Sequence, residues 1–491
     1  MKLLNGLGSR LSSGVLLCLL LAYHPASGQP FTLQGPGVDT SNFRVTTFAS
    51  GLNFPLGMAK LADGSFLVTI TQGTNFFSSS STGQVVRFTD ADANGLADGA
   101  GTILYSNLPG SLTALRVMDN LVFVLGRPHP IYILRAGATP SAPLTLAGKL
   151  IFTYPGNWTQ HQQSELGLRR TPGFTNRYDL SFQIGAENNF AATTDTVTLT
   201  NENIPGASGI LVGDSIHQIT IIDNGTSLAA TNITRIASGV RNPAGFAFQP
   251  ATGDFYFEDN GIDGLVDGSK PLSADELNLI ARTNFGAVTP FFGFPTNYIS
   301  YRTNTFVGGA GIPPLIAFQP FPDPFTGRES TGANQITFAP PGFPPGLNTG
   351  VFLGFHGVYS SGGTSNPKNP VIYADPATGS YFHFIYGQQA GIGHLDGLLA
   401  TRDSLFVADV ATGGDLNNGA GQGVIYQIKS LVSSPPSLTS RRVGTQIELA
   451  WDRGTLVQAT NVNGPWSDVP DAFSPHLITT AGPCTFYRVR Y

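Results

Sequence analysis

The chain has 491 residues, a formal net charge of −5 and only 12% charged residues. Coiled coils and long amphipathic helices need many charged residues at helical spacing, so this composition excludes them. With 41% hydrophobic residues the chain is not disordered. No basic face for a polyphosphate is visible, so nucleic acid is not an expected partner.

The first residues read as an export signal. Lys2 and Arg10 supply positive charge, Val15 to Ala22 form an apolar core, and Ala26-Ser27-Gly28 offer small residues for cleavage before Gln29. The apolar core is too short to span a bilayer. The expectation is a signal peptide over 1–28, a secreted or periplasmic mature chain and no transmembrane anchor. Of the 2 cysteines only Cys484 lies beyond Cys18 and the cleavage point, so no intrachain disulfide is expected. Asn157, Asn224 and Asn232 open glycosylation sequons, which matter only in a eukaryotic host.

A hairpin pattern then recurs. Gly57-Met58-Ala59 leads through Asp63-Gly64 to Phe66-Leu67-Val68, and Leu112 to Leu115 leads through Asp119-Asn120 to Val122-Phe123-Val124. Tyr178 to Ile184 begins a third unit whose partner strand is blurred. Gly245 to Phe248, Gln335 to Phe338 and Gly397 to Leu399 open three more. Alternating apolar residues around tight turns fit half-buried antiparallel pairs. Six such units predict an all-β fold, a six-bladed β-propeller over 29–432, with Val45 to Phe48 and Val424 to Ile428 closing it in one shared blade. A β-sandwich array is the alternative. After Ser433-Ser434-Pro435-Pro436 the pattern stops. Gln446 to Trp451, Thr455 to Thr460 and Phe486 to Val489 then predict a small immunoglobulin- or fibronectin-like β-sandwich within 433–491.

Two constellations carry chemistry. In Asp90-Ala91-Asp92-Ala93-Asn94-Gly95-Leu96-Ala97-Asp98, oxygen ligands alternate before a glycine, as in the first half of a calcium loop. Asp90, Asp92, Asn94 and Asp98 are the candidate ligands of a structural Ca2+, although the bidentate glutamate of a full loop is missing. A polar turn is the plain alternative. The second constellation is Gly239-Val240-Arg241-Asn242-Pro243 running into Gly245-Phe246-Ala247-Phe248, then Thr252-Gly253-Asp254, Asp275-Glu276-Leu277-Asn278 and Asn284-Phe285-Gly286.

In these motifs, taken in this order, the chain resembles the soluble quinoprotein glucose/sorbosone dehydrogenases, which use pyrroloquinoline quinone (PQQ) on a six-bladed propeller. Ser50-Gly51-Leu52 and Gly57-Met58-Ala59 also match that family's first blade. The resemblance spans about residues 43 to 430 and is densest over 235–295. It implies a sugar or aldose dehydrogenase that passes hydride to PQQ and then electrons to an external acceptor. Arg241 and Asn242 would hold the quinone, and a planar guanidinium fork suits a carboxylate. By position His161 corresponds to the general base, and histidine titrates in the right range. Lys368 and Arg328 are conceivable further cations, and His356-Gly357 matches a pair that lines the channel. The chain departs from the pattern at Glu258, which is followed by Asp259-Asn260-Gly261 where a Glu-His-Gly is usual. The alternatives are a non-catalytic carbohydrate- or protein-binding propeller and a calcium-dependent lactonase.

Overall fold

The computed structural model describes residues 29–127, 130–262, 273–300, 303–319, 332–357, 360–365, 370–432, 435–479 and 484–490. The expected signal peptide, Arg328 and Lys368 lie outside them. The described chain is all-β, with two 3-10 turns, Thr40–Asn42 and Gly363–Ser365, as its helical segments.

Six antiparallel sheets follow one another. Sheet one holds Pro55–Lys60, Phe66–Gln72, Thr82–Phe88 and Thr102–Pro109. Sheet two begins with Leu112–Met118, Leu121–Gly126, Ile131–Arg135 and Thr145–Thr153, and sheet three has Leu166–Arg170, Arg177–Ile184, Ser215–Asp223 and Leu228–Ser238. Sheet four has Pro243–Phe248, Phe255–Asp259, Asp275–Ile280 and Ile316–Phe318, and sheet five Ala333–Phe338, Val351–Phe355, Val371–Asp375 and Ser380–Ile385. Sheet six joins Gly397–Ala400, Ser404–Asp409 and Gly423–Ser430 to Phe43–Leu52 from the other end of the chain. The blurred third unit has a physical cause. Between its second and third strands the chain makes a hairpin, Thr196–Glu202 with Gly209–Val212, that adds to the outer edge of sheet two.

The first strands of the six sheets touch in a closed circuit, one to two and so on to six and back to one. Where they converge there is no room for side chains on the facing backbones. A Cβ on Gly57 would stand 2.7 Å from the Leu115 amide nitrogen, and one on Gly397 would stand 2.3 Å from the Leu56 carbonyl oxygen. The glycines that open these hairpins therefore mark the approach of neighbouring sheets. Gln335 of sheet five crosses the ring. Its amide donates to the Thr113 carbonyl of sheet two at 2.9 Å and accepts from the Leu398 amide of sheet six at 3.1 Å. Aromatic and aliphatic side chains fill the space between sheets, as where Phe48 of the closing strand meets Phe66 and Phe406 edge-on, both at 5.3 Å between centroids.

Beyond residue 434 two three-stranded sheets form. Leu438–Val443, Gln446–Trp451 and His476–Thr479 make one, and Ser467–Asp468, Thr455–Ala459 and Phe486–Arg490 the other. Leu449, Trp451 and Leu456 share a small core with Ala251 of the ring.

Candidate functional site

In an antiparallel hairpin, the start of the first strand and the end of the second lie at the same edge. Six hairpins around one axis therefore gather twelve strand ends at one rim. There a cavity of about 640 Å³ opens, and every sheet lines it from the start of its first strand: Leu56, Thr113, Ser164, Asn242, Asn334 and Asp396. The ends of second strands add Arg127, Asn260 and His356.

The strongest chemical pair in this wall is His356 with Asp396. Nδ1 of His356 lies 2.6 Å from a carboxylate oxygen of Asp396, which is buried. A carboxylate can only accept here, so Nδ1 carries the proton and Nε2 is the nitrogen left for another partner. Burial is the largest influence on this ring and disfavours its charged form. The charge and hydrogen bond of Asp396 together outweigh it, and the pKa of His356 stands above its ordinary 6.5. His394 stacks on His356 at 4.6 Å between centroids and 21° between planes, and is held by the His356 and Gly414 carbonyls. This backing fixes the orientation of the pair.

His161 sits elsewhere. Its neighbours Thr159 and Gln162 line the cavity, whereas His161 lies behind the wall, 7% exposed, with a left-handed φ of 47°. Its Nδ1 donates to the Ala186 carbonyl at 2.8 Å. Burial, and then the charge of Arg241, push its pKa well below 6.5, so the ring is neutral at pH 7.

Arg241 is also behind the wall and 3% exposed. Its Nε donates to the Asn189 side chain at 2.9 Å and Nη1 to the Asn260 carbonyl at 3.2 Å. The sequence reasoning placed His161 and Arg241 together, and they do meet: a Cβ on Gly185 would stand 2.5 Å from the His161 carbonyl and 2.6 Å from that of Arg241. They meet away from the cavity, and of the three expected residues only Asn242 opens onto it. The Arg-Asn-Pro turn is clasped by Asp259, whose carboxylate accepts from the amides of Arg241 and Asn242 at 2.9 and 2.6 Å. Burial raises the Asp259 pKa to about 7 despite these two donors.

The loop with Asp90, Asp92, Asn94 and Asp98 lies far from this rim, packed on the closing strand through the Thr46 hydroxyl on the Gly95 carbonyl and the Ala97 amide on the Phe48 carbonyl. Its oxygens are spent locally. Asp90 accepts from the Asn94 and Gly95 amides at 3.0 Å each, Asp92 from Asn94, and Asp98 from the Ala91 amide at 2.9 Å. Among the described residues no three Asp, Glu, His or Cys side chains group closely enough to hold a metal. In this arrangement the four candidate side chains are engaged with the loop's own backbone and with one another.

Asp396 and Arg127 were missed by sequence reasoning. Asp396 stands 40 residues from His356, and nothing in its surroundings marks it. Arg127 ends a strand next to a proline, an ordinary place for a turn residue.

No family model matches the chain. A stretch of 60 residues is 45% identical to an uncharacterized protein of Borreliella burgdorferi, and spans 12% of this chain and 14% of that one. The structure is similar to the PQQ domain of a pyranose dehydrogenase from Coprinopsis cinerea in its holo form, with a TM-score of 0.50 and 13% identity over 82% of this chain and 99% of that one. It is also similar to the calcium structure of a Trichoderma reesei carbohydrate-active enzyme of family AA12, with a TM-score of 0.50 and 15% identity over 80% of this chain and 96% of that one. At these identities the likeness is one of fold, an all-β architecture shared with these two structures.

Proposed function

We propose that this chain is an exported quinoprotein-type sugar dehydrogenase, an oxidoreductase acting on a sugar hydroxyl. Its six sheets would be the blades of a six-bladed propeller and its tail a separate small β-sandwich. The observation that carries the reading is the His356–Asp396 pair in the wall of a roomy cavity on the ring axis.

Removing hydride from a carbinol carbon requires that the hydroxyl proton leave as well, so a positioned base is needed. His356 fits that role through Nε2, since Asp396 holds the other ring nitrogen and stabilises the imidazolium that forms. We assign the base to His356 and give His161, which lies behind the wall, a supporting role. Asn242 and Asn334 offer amides that can both donate to and accept from sugar hydroxyls.

PQQ fits the cavity by size and by donor set. The guanidinium of Arg127 and the amides of Asn242 and Asn334 would hold it, and when bound it supplies the carbonyl that accepts hydride. Arg241 supports the turn from behind rather than reaching the ligand. A metal-dependent lactonase would need carboxylates converging in the cavity, and Asp396, the acidic residue of its described lining, is taken by His356.

The test is to add PQQ and calcium to purified protein and follow dye reduction with a panel of aldoses. Reduction that needs both sugar and PQQ is expected. No reduction, with no PQQ binding in an absorbance titration, rejects the reading.

A further inference from the structure

Among the described residues, Arg127 is the one charge in the cavity wall without an explanation. It follows the second strand of sheet two, and its amide is tied to the Ser111 carbonyl at 3.0 Å. Its guanidinium lines the cavity and has no ion pair or hydrogen bond to any described residue. The contrast with the other arginines near the axis is sharp. Arg116 is paired with Glu165 at 2.7 Å, and Arg241 is tied to Asn189 and the Asn260 carbonyl. Burial lowers the pKa of Arg127, and the group that offsets this is Tyr154, not a carboxylate. Arg127 is half-buried, and a partly desolvated guanidinium without a counter-ion is costly, a cost that an anionic ligand would offset. Five N–H donors in a planar fork suit the two oxygens of a carboxylate best. Among the described residues the cavity offers no competing acid, since Asp396 is buried and held by His356.

We propose that Arg127 is the seat of a carboxylate-bearing ligand in the axial cavity. The inference takes the cavity as the ligand site, as the proposed function does, but does not depend on quinone chemistry. Such a carboxylate has two sources, the rim of a quinone tricarboxylate or a sugar acid such as a uronate. In either case one group is recognised by the same fork, while the amides of Asn242 and Asn334 address the rest of the molecule.

The experiment measures binding rather than turnover. The purified wild-type protein and its Arg127→Gln and Arg127→Lys variants are titrated with PQQ, glucuronate and glucose, by absorbance for the quinone and calorimetry for the sugars. In Arg127→Gln the Kd for at least one of the two carboxylate ligands should rise tenfold or more, while Arg127→Lys, which keeps the charge but loses the fork, weakens it less. A loss confined to PQQ identifies a cofactor carboxylate, and one confined to glucuronate identifies an acidic sugar. If Arg127→Gln folds poorly, chloride decides on the wild type: high chloride should weaken the carboxylate ligands and spare glucose. If PQQ fails to bind but glucuronate binding depends on Arg127, the quinone reading falls and this inference stands. Carboxylate binding that is indifferent to both Arg127 and chloride, or no carboxylate binding at all, overturns it.

Discussion

A histidine becomes a base through what holds its other nitrogen, and at this scale His161 and His356 part ways. Both are buried to some degree, and burial alone lowers a histidine pKa. His161 has a backbone carbonyl and a nearby guanidinium, so it stays neutral and weakly basic. His356 has a carboxylate, which more than offsets the burial. The sign of the pH effect follows. A base works when deprotonated, so kcat/KM for sugar oxidation should rise with pH, with its midpoint above the ordinary value of about 6.5. In Asp396→Asn the anion is gone while burial remains, so the midpoint should move down and the rate should fall by about 10²-fold or more. His161→Ala should leave the midpoint where it was. A pH–rate profile of the three proteins checks this, and an unmoved midpoint in Asp396→Asn would remove the pair from the mechanism. Sequence could not make this choice. It lists which residues are histidines but not which way each one faces. The left-handed turn at His161 points its neighbours, not its ring, at the cavity.

At the scale of strands, much was legible. Runs such as Phe66-Leu67-Val68 and Phe255-Tyr256-Phe257 are bounded by Asp–Gly or Gly–Asp turns, and each pairs with the run before it. The pairing of Phe43–Leu52 with Gly423–Ser430 was readable too, because Phe43–Leu52 is an apolar strand without a local partner and Gly423–Ser430 leaves one edge open beside Ser404–Asp409. The hairpin at 196–212 was not readable, because it joins the edge of a sheet to which it does not belong in chain order. The closing strand carries a testable load. Phe48 is 3% exposed and joins sheet six to sheet one through edge-on contacts with Phe406, Phe66 and Phe88. Truncating a buried phenylalanine costs about 3–5 kcal/mol in lost transfer energy and cavity formation. Phe48→Ala should therefore shift the denaturation midpoint clearly downward. Ile103→Ala, at a position 54% exposed on the outermost strand of sheet one, should stay within about 0.5 kcal/mol of wild type. Similar losses in the two variants would mean that the closing strand is not what holds the ring together.

For the whole molecule, the six sheets bury acids around the axis, and this couples stability to pH. Glu258 is fully buried with neither carboxylate oxygen hydrogen bonded, and its pKa is raised far above the ordinary value, first by burial and then by neighbouring acids including Asp275, Glu165 and Asp396. Burial likewise raises Glu165, Asp259 and Asp409 to about 7 and Glu276 to about 8. Such acids stay protonated in the folded state while the unfolded chain has already released their protons, so the stability they allow is full below their ordinary pKa and is lost as pH rises through the folded values. The buried histidines pull the other way, since burial lowers His217 and His383 to about 4. Their effect is complete once the unfolded chain's histidines are neutral, above about pH 6.5. Between about pH 6.5 and 8.5 the acids act together with His356, whose raised pKa also costs stability as pH rises, and the melting temperature should fall across that window. Glu258→Gln keeps the shape of the neutral side chain but cannot ionise. Its melting temperature should match wild type near pH 5 and exceed it near pH 8.5, with a shallower slope between. Scanning calorimetry of the two proteins across that range decides the point. Equal slopes would mean that Glu258 finds a partner at the axis, and the carboxyl would then have to be read as an ionised ligand rather than as a neutral acid sealed inside the ring.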